Sequence, residues 1–229
     1  EGTVVETGFR RLSVRVNSDI GVGRFTFGEN LALSRSTQRA LSGFPLIDAV
    51  RMLPTIPVRD PNNLSGYGYG DGANPTFGTN PVGLLEKQPR TQRSNQLIGS
   101  AFGEVRLPAH FKYRLNLGLN YENFARSEFT SIAQLRQGSP NQFAQLNEIR
   151  NNFTSLLAEN LLSFDNQYRD GMHRVNAVAG YTEQQENADD VTAYRRGSSD
   201  ENLRTIASFD EANSTNNGTA RRTVLQSLL

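Results

Sequence analysis

Residues 111–123, FKYRLNLGLNYEN, alternate without a break. Phe111, Tyr113, Leu115, Leu117, Leu119 and Tyr121 fall on one side of an extended chain. Lys112, Arg114, Asn116, Gly118, Asn120 and Glu122 fall on the other. A period of two sends successive side chains to opposite faces of a strand, so the stretch predicts a strand with one apolar and one polar face.

Five further segments carry the same period. FRRLSVRVNSD sets Leu12, Val14 and Val16 against Arg11, Ser13, Arg15 and Asn17. RFTFGENLALS sets Phe25, Phe27, Leu31 and Leu33 against Arg24, Thr26, Gly28, Asn30 and Ala32, with Glu29 intruding on the apolar side. NQLIGSAFGEVRL is the faintest, with Leu97, Gly99, Ala101, Gly103, Val105 and Leu107 on one face. SLLAENLLSFDNQY aligns Leu156, Ala158, Leu162, Phe164 and Tyr168, broken by Asn160 and Asn166. HRVNAVAGYTE gathers Val175, Ala177, Ala179 and Tyr181. The closing RRTVLQSLL reads as the first residues of another strand.

Short turns join these segments in pairs: the glycine turn IGVG, PAH with Pro108 cutting the strand, and RDGM with its Asp-Gly signal. Three hairpins result, separated by long connections at 35–92, 127–154 and 186–219. Structureless loops beyond about 12–15 residues are uncommon in compact soluble domains. All short turns would lie at one end of the sheet and all long loops at the other, the plan of an outer-membrane barrel. Strand length agrees. A tilted strand needs about 9–11 residues to cross a bilayer, whereas soluble strands have a mode of about 5–6. Within the long connections, FPLIDAVRMLP places Leu46, Ile47, Val50 and Leu53 at helical spacing between Pro45 and Pro54, predicting a helix that buries this stripe against the loop layer. IAQLRQGSPNQFAQLNEIRNNF reads similarly, with Leu146, Ile149 and Phe153 as its stripe.

Composition narrows the chemistry. The 229 residues contain no cysteine and no tryptophan, so disulfides, thiol nucleophiles and thiolate metal sites are excluded. Lys and Arg (24) nearly balance Asp and Glu (23), which gives no bulk charge for nucleic acid. Mean hydropathy is −0.53, and no apolar run approaches the length of a membrane helix, a composition that alternating barrel strands also give. The chain opens at Glu1 with no signal segment and closes inside a strand pattern, so it is expected to be an excerpt of a longer protein.

If the apolar faces meet lipid, the sheet must close on itself. Eight strands is the usual minimum, so about six complete strands predict a segment of an antiparallel up-and-down transmembrane β-barrel. Arg11, Arg15, Asn17, Lys112, Arg114, Asn116, Glu122 and Arg174 lie on the polar faces and are candidates to face a hydrated or plugged lumen. Phe25, Phe111, Tyr113, Tyr121, Tyr168 and Tyr181 are placed for aromatic girdles.

Local chemistry is sparse. His110 and His173 each sit at a short turn and read as solvated. GYGYGDG at residues 66–72 has no strand before it and no lysine-bearing helix after it, which disfavours a phosphate loop. As external loop, Tyr67, Tyr69 and Asp71 are candidates to touch a ligand or a capping partner, the tyrosines by stacking on a sugar ring. NADD and SSDEN read as solvated acidic loop sequence. No catalytic constellation, metal spacing or cofactor motif stands out, so neither enzyme activity nor a cofactor is expected.

The order of motifs resembles the SusC/RagA family of TonB-linked outer-membrane transporters. GFRRLSVRVNSDIGVGRFTFGENLALS is similar to that family's first half-barrel hairpin, through Arg11, Arg15, Asn17, Asp19, Gly28, Asn30 and Leu31. LIDAVRMLPTIPVRDPNNLSGYG resembles its Pro-x-x-Pro-Val-x-Asp loop, through Pro54, Pro57, Val58, Asp60 and Gly66. NPVGLLE resembles its Asn-Pro segment before the next strand. NLLSFDNQYRDGMHRVNAVAGYTEQ resembles a later hairpin, with Phe164, Val175 and Thr182 departing from the usual Tyr, Leu and Glu. The resemblance implies that residues 1–229 are part of one TonB-dependent receptor barrel domain, without its plug and its closing C-terminal strands. It also implies a place in the outer membrane of a Gram-negative bacterium, and import of a glycan or peptide. The partners implied are a SusD-like surface lipoprotein, the protein's own plug, the TonB complex and outer-membrane lipid. From the residues alone two other classes stay open: a passive porin or adhesin barrel, and a soluble extended β binding protein.

Overall fold

The computed structural model describes residues 2–138, 140–168, 172–197, 200–210 and 214–229. Among these, seven long strands make one antiparallel sheet: β1 (Gly8–Val22), β2 (Phe25–Ala40), β3 (Arg90–Arg106), β4 (Phe111–Thr130), β7 (Gln145–Tyr168), β8 (His173–Arg196) and β9 (Ser214–Leu228). Sheet order follows chain order, each strand antiparallel to the one before, as an up-and-down meander requires. The first long connection holds two short helices, α1 (Pro45–Arg51) and α2 (Pro81–Lys87). The second holds a small ribbon of β5 (Ala133–Gln134) and β6 (Pro140–Asn141).

The expected strands are all present, and the sequence underestimates their length. β7 and β8 run for 24 residues each, so the connections shrink to 41–89, 131–144 and 197–213. The expected helical stripe Leu146, Ile149 and Phe153 is strand instead, and NADD, expected in a loop, lies inside β8. The reason is the same for both. Beyond the apolar stretch β7 and β8 are mostly polar, and their few apolar residues, Leu146 on one face and Ile149 and Phe153 on the other, do not alternate, so ladder pairing to β4 and β9 decides the conformation. The closing segment, expected as the start of a further strand, lies in β9, which has 15 residues and is the seventh long strand. Of SSDEN, Asp200–Asn202 lie in the last connection, and Ser198 and Ser199 lie outside the described residues.

Turn positions shift as well. Ile20, Gly21 and Val22 are still strand, and the turn is Gly23–Arg24, where Gly23 takes φ +62°. Between β3 and β4, Ala109 and His110 both have positive φ (59° and 66°), the conformation that a primed hairpin turn demands. The expected Asp170–Gly171 turn lies outside the described residues.

Cross-strand register keeps the two faces apart over the whole sheet. One row reads Val16, Leu31, Gly99, Leu119, Leu156; the next reads Val14, Leu33, Leu97, Tyr121, Thr154. Glu29, the expected misfit, sits opposite Ser18, whose hydroxyl donates to its carboxylate at 3.1 Å. Asn160, the other intruder, accepts from the Tyr113 hydroxyl at 2.6 Å. The apolar run ends at Leu12, Leu33, Leu97, Tyr121, Leu156 and Tyr181 on successive strands. Beyond it the same face turns polar with Arg10, Arg35, Asn95, Asn123, Thr154 and Glu183. Among the described residues, buried apolar side chains collect at the long-loop end, in one cluster of Tyr67, Leu84, Ala133 and Leu135 and another of Phe129, Ala144, Leu146 and Phe209.

Candidate functional site

Two regions carry organised polar chemistry: the polar face of the sheet and the loop layer above it. On the polar face, β3 and β4 pair Glu104 with Arg114 and Arg106 with Lys112. Glu104 therefore lies between two cations, Lys112 at 3.3 Å and Arg114 at 3.7 Å. The Arg114 guanidinium lies over the Phe102 ring, 4.0 Å from its centroid, and donates to Asn116 at 2.7 Å. Asn116 in turn donates to Glu159 on β7 at 3.2 Å. Nearer the loops, Arg90 and Arg126 flank Glu128 at 2.8 and 3.3 Å. Pairs this exposed add little stability; they hold long side chains flat on the sheet.

Gly28 explains the geometry of the first network. It is cross-strand neighbour to both Asp19 and Phe102. A Cβ at this position would overlap the Asp19 carboxylate and the Phe102 ring. The absent side chain lets the aromatic ring lie across the strand, the packing known as aromatic rescue of a sheet glycine. With Phe102 flat, Arg114 has a surface to stack on.

The loop layer is organised by Asn80, which is 1% exposed. Its side-chain amide donates to the carbonyls of Val58 (2.9 Å) and Gly68 (2.8 Å), and its side-chain oxygen caps α2 by accepting from Gly83 N–H at 2.9 Å. Its own N–H donates to Leu135 in the second connection. Pro81 follows at the first helical position, where a missing N–H costs nothing. One side chain thus ties three stretches of the first loop together, while the backbone ties that loop to the next.

Tyr67 is 3% exposed, packed on Leu84, Ala133 and Leu135. Its hydroxyl donates to Glu86, and Arg59 lies over its ring at 4.5 Å while pairing with Glu86 at 2.6 Å. Burial, then the Glu86 carboxylate, push the Tyr67 hydroxyl pKa up. The same carboxylate raises that of Arg59. Asp71 is exposed and accepts from the N–H groups of Asn74 (2.7 Å) and Ala73 (2.9 Å), which lower its pKa.

All eight polar-face candidates, Arg11, Arg15, Asn17, Lys112, Arg114, Asn116, Glu122 and Arg174, fall on the same face of the sheet. Only Lys112, Arg114 and Asn116 form one network. Glu122 accepts from Ser94 at 3.1 Å, Arg174 pairs with Asp165 at 2.7 Å, and Arg11 donates to Ser13 at 3.1 Å. Among the loop candidates, Tyr67 is corrected: its ring is taken up by loop packing and offers no face for stacking. Tyr69 is half-buried and Asp71 exposed. The sequence missed Glu104, Phe102, Glu159 and Asn80 as organising residues. Glu104 and Phe102 lie on the strand whose alternation is faintest, because Gly99, Ala101 and Gly103 occupy its other face. Those small residues leave a 640 Å³ depression there, between Leu31 and Leu117. The α1 stripe is also corrected: Leu46, Ile47 and Val50 are 61%, 49% and 87% exposed. His110 and His173 are exposed at the short-turn edge, and among the described residues no cluster of metal-ligating side chains forms.

No family model and no curated protein matches the sequence. Solved structures do match in fold. The chain superposes on the RagAB peptide importer in its open-open state with a TM-score of 0.78 at 17% identity, over 97% of this chain and 25% of that one. The closed-closed state gives 0.76 at 16% identity, and a further RagAB peptide transporter structure gives 0.75 at 18%, with the same coverage. The chain therefore spans about a quarter of the length of the importer chains it resembles. At this identity the likeness is one of fold: seven antiparallel strands arranged as in part of a transporter.

Proposed function

We propose that this chain is part of the barrel wall of an outer-membrane, TonB-dependent nutrient importer of the SusC/RagA type, working with a SusD-like surface lipoprotein to import peptides or oligosaccharides. The observation that carries the reading is the apolar band. On β4 it runs from Phe111 through Tyr121, close to the about 9–11 residues a tilted strand needs to cross a bilayer. It gives way to polar residues on six consecutive strands while the strands themselves continue, and its end steps steadily along the register from Leu12 on β1 through Tyr121 on β4 to Tyr181 on β8. An apolar band on one face of an up-and-down sheet, offset from strand to strand as tilted strands require, is what a bilayer imposes.

On this reading the polar face lines the lumen. Lys112, Arg114, Glu104, Asn116 and Glu159 present a fixed array of donors and acceptors to a plug or a passing solute. The short turns at Gly23–Arg24 and Pro108–Phe111 face the periplasm. The loop layer held by Asn80 and Tyr67 faces outward and meets the lipoprotein, where the exposed Leu46, Ile47 and Val50 of α1 and the accessible Tyr69 and Asp71 are the contact candidates. Substrate binding is the work of the complete protein, and this segment supplies wall and loops.

Deleting the full-length gene should abolish growth on peptides or oligosaccharides too large for porins as sole nutrient. Removing TonB should have the same effect. Uptake that persists without TonB would overturn the energy-coupled reading in favour of a passive barrel.

A further inference from the structure

Just beyond the apolar band, four arginines converge on the same outward face. Thr37 on β2 is the cross-strand partner of Arg10 on β1 and of Arg93 on β3. Arg35 and Arg39 lie two residues below and above it on β2 itself. Arg10 and Arg93 are thus two strand spacings apart, about 10 Å, and Arg35 and Arg39 about 13 Å apart along the strand. The four surround Thr37 as the corners of a diamond, and all four are exposed.

Their partners are few. Arg39 pairs with Glu6. Among the described residues no ion pair or side-chain hydrogen bond joins Arg10, Arg35 or Arg93. The other described carboxylates on that face lie lower on β2 or on strands farther away: Glu29 accepts from Ser18, Glu148 pairs with Arg150 at 3.0 Å, Glu183 accepts from Tyr181, and Asp189 sits on β8, three strands from β3. The arginines of the polar networks contrast with this, since Arg90, Arg114 and Arg126 each lie beside Glu104 or Glu128. Like charges gathered without carboxylates repel one another, and an anion relieves the repulsion. The planar guanidinium matches phosphate oxygens two at a time.

Position identifies the anion's source. Arg35 is the direct cross-strand partner of Leu12, the last apolar residue of β1 on this face, and Leu33 is the next residue on the same face of β2. The guanidiniums therefore begin where the apolar band ends, at the long-loop edge. We propose that Arg10, Arg35, Arg39 and Arg93 form a binding site for the phosphorylated headgroup of an outer-leaflet lipid, whose acyl chains lie along Leu12, Val14, Leu33 and Leu97. The inference rests on the membrane-barrel reading. A lipid held there would fix the height of the barrel and shield β1–β3 at the interface.

The test uses the full-length protein purified in detergent, with native mass spectrometry as readout and two added lipids, phosphorylated lipid A and its dephosphorylated form. The wild type should hold the phosphorylated lipid about tenfold or more better, the scale expected when several interfacial cations act together. Arg10→Gln/Arg35→Gln/Arg93→Gln should erase that preference. The triple Lys variant should keep most of it, and Arg15→Gln, on the opposite face, should leave it intact. A triple Gln variant that still prefers the phosphorylated lipid, or a wild type with no preference, overturns the proposal. A spin label at Leu33 in bilayers separates the two ways of failing. If it reports lipid while the preference is absent, only this site is wrong; if it reports water, the barrel reading falls with it.

Discussion

The sheet and the loop layer are built on opposite principles. In the loop layer, side chains are withdrawn from solvent and each buried polar group has a partner: Asn80 at 1% exposure, Tyr67 at 3%. In the sheet, apolar side chains such as Leu12 (70% exposed) and Leu117 (49%) stay open, and order comes from the backbone ladder and from register. A large open apolar face on a protein in water marks an interaction surface or an aggregation hazard. The loop layer completes itself with its own residues; on the proposed reading, the sheet is completed by lipid on one side and by water or plug on the other. Substitutions should therefore separate the regions, with loop variants melting the loops alone and sheet variants affecting the whole barrel.

Asn80→Ala should have the largest effect. It strands the Val58 and Gly68 carbonyls and the Gly83 N–H in a buried site, at a cost of about 3 kcal/mol. Limited proteolysis of the full-length protein should show cleavage within 41–89, while the barrel keeps its resistance to unfolding in SDS. Simultaneous loss of both would show that the two regions fold as one unit. Gly28→Ala comes next, forcing Phe102 and Asp19 aside for about 2 kcal/mol. It should lower the thermal midpoint of the whole barrel, and adding Phe102→Ala should recover part of the loss, a coupling that a double-mutant cycle measures. Ala109→Gly should go the other way and stabilise by about 1 kcal/mol, because it relieves a left-handed conformation unfavourable to alanine; the same thermal midpoint reads it.

The smallest effect is that of pH on the loops. Tyr67 titrates at a higher pH when folded than when unfolded. Its contribution is therefore complete below the unfolded value near 10.0 and is lost as pH rises through the folded one. Asp71 is the reverse: its pKa is lowered in the fold, so its contribution is present above 3.8 and lost as pH falls. Loop proteolysis should accelerate at both extremes, and Tyr67→Phe should remove the alkaline limb only.

The apolar band was legible in the sequence because one face of β4 is uniformly apolar from Phe111 to Tyr121, and because strands of this length between such unequal connections suit few other folds. β7 and β8 above the band were not. In residues 145–154 and 184–196 the few apolar residues, such as Leu146, Ile149, Phe153 and Val191, do not keep a period of two, so their strand state is dictated by neighbours distant in sequence. Asn80 was visible only as part of an Asn-Pro motif. Its role depends on Val58, Gly68 and Leu135 arriving from elsewhere in the chain, which no local pattern encodes. Tyr67 was misread as a free ring because its glycine-rich surroundings suggest exposure, whereas here Gly83 leaves out the side chain that would collide with it.

The central claim is that the odd residues of β4 meet lipid and the even ones meet water. The chain contains no cysteine, so a single-cysteine scan over 111–122 in the full-length protein, labelled with nitroxide in bilayers, tests it directly. Accessibility to oxygen should peak at Tyr113, Leu115, Leu117 and Leu119, and accessibility to a polar nickel reagent at Lys112, Arg114, Asn116 and Asn120, with a period of two. Equal accessibility on both faces, or the reverse phase, would contradict the barrel-wall account.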